Sequence, residues 1–64
     1  MTERIYICTP RQWKAALMKE LLGTYLVEVE GPTNDDPGYL LKADIPVFDM
    51  KRIRSGLIEI GKML

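Results

Sequence analysis

The 64 residues include one cysteine and no histidine. That composition removes the Ser-His and Cys-His pairs of nucleophilic catalysis and every histidine metal ligand, so a reaction would have to run on carboxylates, lysine, tyrosine or an activated thiol. Cys8 stands at a strand end just before a basic helix start, where a thiolate is favoured. A small, half-buried side chain is the plainer reading of it. Asn34, Asp35 and Asp36 offer oxygens to a hard cation, but adjacent acids lack the alternating spacing and the distant glutamate of the helix-loop-helix calcium site. They fit the tip of a turn. Gly31 and Gly38 bracket that turn instead of opening a helix, so no phosphate-cradling loop is formed. The expectation is therefore no catalytic residue, no metal and no cofactor.

Residue types suited to contact are more plentiful. Ala15, Met18 and Leu22 recur at helical spacing on a face rotated from Trp13, Ala16, Leu17 and Leu21, and Arg11, Lys14 and Lys19 flank them. Methionine adapts to irregular contacts, and an apolar strip rimmed by charge has the anatomy of a protein interface. With Trp13, Leu17 and Leu21 assigned to the core, the expected partner-binding surface is Arg11, Lys14, Ala15, Met18, Lys19 and Leu22. The competing reading is that a thin core uses a wide stripe. Lys51, Arg52 and Arg54 open a second helix, where cations oppose the helix dipole; phosphate contacts to a nucleic acid are the alternative use for them.

Five elements must position these groups. Arg4 to Cys8 has the β-branched and aromatic character of a strand, with Ile5 and Ile7 on one face and Tyr6 on the other. Thr9, Pro10 and Gln12 read as N-cap, first helical position and capping box of a helix that Gly23 ends. Tyr25 to Glu30 alternates with period two, placing Tyr25, Val27 and Val29 on one face and Glu28 and Glu30 on the other. Turn-forming residues from Gly31 to Gly38 then precede a strand over Tyr39 to Asp44 that Pro46 closes. Asp49 is placed to cap a second helix with Met50, Ile53, Leu57, Ile60 and Leu64 along one seam, and Gly56 and Gly61 within it suggest close packing or a frayed end.

The order β-α-β-β-α matches a split β-α-β unit without its last strand: an α+β fold in which a three-stranded antiparallel sheet, order 1-3-2, carries two helices on one face. Lys42 falls beside Glu28 on the open face, and the first strand is left as an unprotected edge. Ile5-Tyr6-Ile7 and Gly38-Tyr39 together resemble the paired aromatic strand motifs of RNA-recognition domains, which share this topology, and the resemblance implies bases stacked on the sheet. The chain departs from that pattern where Leu41 replaces an aromatic and where alternation turns Tyr39 away from Lys42, toward the core.

Length allows one domain over residues 1–64, with a core burying only about 60% of the unfolded chain's surface. One cysteine cannot close an internal disulfide, so self-association is the remaining support for so small a core, and a homodimer is expected. Nine basic and nine acidic residues cancel to zero net charge, which disfavours nucleic acid as the main partner. Their distribution is uneven, with an acidic middle segment between basic flanks. No apolar run approaches the ~18 residues of a bilayer span. The lone cysteine and the absence of a signal-peptide pattern point to the cytoplasm. These features lead to a non-enzymatic protein-binding module, a small regulator or inhibitor of a larger protein in the manner of bacterial or phage accessory proteins.

Overall fold

A computed structural model describes residues 1–64. Strand β1 (Thr2–Thr9) leads through Pro10 and Arg11 into helix α1 (Gln12–Leu22), followed by a 3-10 turn, strand β2 (Leu26–Glu30), strand β3 (Tyr39–Pro46), a second 3-10 turn (Val47–Asp49) and helix α2 (Met50–Lys62). The sheet is antiparallel in the order β1-β3-β2, and no helix is long and apolar enough to cross a membrane.

Register follows from the alternation of β3. Leu41, Ala43 and Ile45 are fully buried. They stand opposite Ile7, Ile5 and Glu3 of β1, and Leu41 and Ala43 stand opposite Val29 and Leu26 of β2. The two helices close over that face through Ala15, Met18, Leu22, Met50 and Ile53. The other face carries Arg4, Tyr6 and Cys8 against Asp44, Lys42 and Leu40, with Glu28 and Glu30 beyond. A sheet apolar on one side and charged on the other is what period-two alternation dictates.

Four expectations need correction. The first helix begins at Gln12, with Arg11 in the cap position; β1 continues through Thr9, whose hydroxyl accepts the Arg11 backbone N–H at 3.3 Å in place of a helix cap. Val27 does not share a face with Val29. A bulge between Leu26 and Glu28 leaves Val27 half exposed and puts Leu26 in its place beneath the helices, because an extra residue reverses the alternation. Tyr25 belongs to the 3-10 turn Gly23–Tyr25 rather than to the strand. Leu64 lies beyond the end of α2 and is fully exposed.

Helix ends and helix contacts have local causes. Gly23 takes φ 54°, the left-handed region that glycine enters without steric cost, and its N–H reaches the Lys19 carbonyl. Gly56 marks the crossing of the two helices: a Cβ there would lie 2.7 Å from Leu21 Cδ2. Lys14 Nζ donates to the Gly61 carbonyl at 2.9 Å, so a cation on α1 satisfies an orphan acceptor at the C-terminal end of α2.

Candidate functional site

The expected docking surface on α1 is not a surface. Ala15, Met18 and Leu22 are exposed by only 3%, 5% and 1%, because the helix turns that stripe toward the sheet. Trp13 and Ala16 lie outside, while Leu17 and Leu21 are half-buried. Both stripes are apolar because α1 has two neighbours, the sheet beneath and α2 beside it. Arg11 and Lys19 remain exposed and Lys14 is half-buried, its ammonium 5.6 Å from the Trp13 ring centroid. The charged rim therefore exists without the apolar centre expected between its members.

Of the basic trio on α2, Arg52 is engaged. Its guanidinium donates to both carboxylate oxygens of Asp49 at 2.8 and 2.7 Å, and the Tyr25 hydroxyl donates to the same carboxylate at 2.8 Å. These donors hold Asp49 at about 2, below the ordinary carboxylate value, with the Arg52 bonds the larger cause. The Tyr25 hydroxyl is raised by its bond to Asp49. Asp49, expected to cap α2 through its side chain, makes no cap bond and instead ties the turn before β2 to the turn before α2. Lys51 and Arg54 are exposed.

The open face of the sheet is a charge ladder. Arg4 pairs with Asp44 directly across from it, with a second bond at 3.2 Å. Lys42 reaches Glu28 at 2.9 Å, as the alternation predicts, and also Glu30 at 2.7 Å. Hydrogen bonding to Lys42 lowers Glu28 from the usual carboxylate range, and bonding to Arg4 does the same for Asp44. The two cations of this face are thus both neutralised by neighbours. Tyr6 stands opposite Lys42 and is 62% exposed. Tyr39 pairs with Thr9 on the helix-covered side, so the two aromatics do not share a face and cannot form the stacking platform that the resemblance to RNA-recognition domains implies.

A pocket of about 250 Å³ lies between the end of β1 and the hairpin, lined by Cys8, Thr9, Pro10, Asp36 and Tyr39 among others. One oxygen of its carboxylate is engaged, since Asp36 Oδ1 accepts the Gly38 N–H at 2.9 Å within the turn. No three His, Cys, Asp or Glu side chains converge anywhere on a common point.

The feature that distinguishes one surface from the rest is the outer edge of β1. Both margins of a three-stranded sheet carry unpaired backbone groups, and proteins guard such margins with bulges, short strands, proline or charge. The β2 margin is guarded by its bulge, by a length of five residues and by Glu28 and Glu30. The β1 margin runs eight residues with neither glycine nor proline and with charge only at Glu3 and Arg4 near its start, pairs regularly with β3 along its whole length, and carries the exposed Tyr6 at its middle. The open edge follows from the order of elements alone; its contrast with β2 depends on the bulge, which two successive valine-containing dipeptides do not announce. Comparison with protein-family models, with curated proteins and with solved structures found no match.

Proposed function

We propose that this chain is a non-enzymatic protein-binding module that regulates a larger protein, and that it binds by strand addition along β1. The single observation carrying this reading is the eight-residue edge of β1, charged only at Glu3 and Arg4 near its start, in a sheet whose other edge is five residues long, bulged and acidic. An extended segment laid on such an edge gains backbone hydrogen bonds, and alternate side chains beside it supply specificity. Here those side chains are Arg4, Tyr6 and Cys8 on the open face and Ile5 and Ile7 on the helix face. A nucleic-acid reading draws less support, because Arg4 and Lys42 are neutralised by acids and Arg52 by Asp49.

The test is paired affinity capture from a lysate of the source organism, with wild type, Tyr6→Lys and Ala16→Asp as bait. Lysine is a residue that blunts strand edges, and Tyr6 and Ala16 are both exposed, so both variants are expected to fold, which circular dichroism of each bait checks. Strand addition predicts proteins retained by wild type and Ala16→Asp and lost from Tyr6→Lys. The same proteins on all three baits, or loss on Ala16→Asp alone, contradicts it.

A further inference from the structure

We infer that a second copy of this chain is the segment that the β1 edge accepts, paired antiparallel about a two-fold axis through Tyr6. The inference rests on the strand-addition reading and names the occupant of the edge in the free protein, which a partner's strand displaces. Its basis is self-complementarity. Two copies of one strand related by a two-fold axis perpendicular to the sheet can pair only in registers that set some residue opposite itself, and like charges directly opposite are destabilising. Centring on Glu3 or Arg4 opposes two carboxylates or two guanidinium groups. Centring on Ile5 sets Glu3 against the apolar Ile7 beneath the helices. Centring on Ile7 leaves Glu3 and Arg4 outside the strand-to-strand pairing.

Centring on Tyr6 avoids all of these. Ile5 and Ile7, both half-buried beside the open edge, then meet each other's copies on the helix face. Glu3 meets Thr9, Arg4 meets Cys8, and Tyr6 packs against Tyr6 on the open face, where an aromatic pair adds to the ladder. Pairing covers Glu3 through Thr9, nearly the full strand. The two three-stranded sheets become one continuous sheet with only the guarded β2 margins outermost, and the joint core answers the small size of each copy.

Sedimentation equilibrium and disulfide trapping test this together. Wild type is expected to sediment with dimer mass at micromolar concentration and Tyr6→Lys with monomer mass. In a Cys8→Ser background, Tyr6→Cys should cross-link into a covalent dimer at least tenfold faster than Ile58→Cys, an exposed control on α2, since opposite residues of an antiparallel pair bring their Cβ atoms within about 5 Å. Monomer mass for wild type throughout, or a dimer in which Tyr6→Cys cross-links no faster than the control, overturns the proposal. Lysate proteins lost on Tyr6→Lys alongside a monomeric wild type would remove self-pairing while leaving strand addition intact.

Discussion

Met18 shows how a single side chain's phase around a helix decides what it does. At 5% exposure among Ala15, Leu22 and the central strand, it lies where a carboxylate would be buried without a partner. Replacing a buried methionine by alanine typically costs ~2–5 kcal/mol, and an unpaired charge adds to that. A domain of this size holds only about 3–10 kcal/mol in total. Met18→Asp should therefore abolish cooperative unfolding, with circular dichroism at 25 °C already that of the denatured chain. A folded Met18→Asp protein would show that the stripe faces solvent after all. The residue types and spacing on α1 established two apolar stripes; which one faced the sheet depended on α2, whose Gly56 admits Leu21 and so occupies the second stripe. The pattern of one helix does not record the position of another.

At the scale of elements, the order β-α-β-β-α, the 1-3-2 sheet and the Lys42–Glu28 pair were legible because alternation, turn chemistry and short connections each point to them. The bulge was not, since Tyr25-Leu-Val-Glu-Val-Glu30 reads as unbroken alternation and only the pairing with β3 reveals that Val27 is extra. The start of α1 was displaced for a similar reason. Thr9 carries every mark of an N-cap, yet its hydroxyl serves the turn at Arg11 while its backbone completes the ladder opposite Tyr39. The bulge makes an unusual prediction. Deleting a residue inside a strand normally turns every later side chain to the wrong face. Deleting Val27 should instead join Leu26 and Glu28 in regular register and change the melting temperature little. Deleting Val29 should draw Glu30 in against Leu41 and lower the melting temperature by ten degrees or more, since a buried unpaired carboxylate costs several kcal/mol and about 1 kcal/mol shifts a small domain by roughly 4–8 °C. Equal effects from the two deletions, by thermal unfolding, would refute the bulge.

Across the whole molecule, zero net charge conceals an arrangement in which the open sheet face neutralises its own cations while Arg11, Lys19, Lys51 and Arg54 stay exposed on the helix side. The bulged, acidic β2 margin and the β1 margin, charged only at Glu3 and Arg4, are therefore chemically unlike, and the proposed backbone pairing is directed to one of them. The candidate site was legible as an open edge and wrongly legible as a stripe on α1, because topology follows from element order whereas burial depends on how three layers of side chains settle together. The most direct measurement is amide hydrogen exchange along β1 in wild type and Tyr6→Lys at equal micromolar concentration. In an edge strand alternate N–H groups point away from the neighbouring strand. With β1 paired along its outer edge, the outward-pointing amides of Thr2–Thr9 are protected in wild type and exchange freely in Tyr6→Lys, with the inward-pointing amides protected in both. Free exchange of the outward amides in wild type at every concentration, with and without whatever the bait retains, would contradict that pairing.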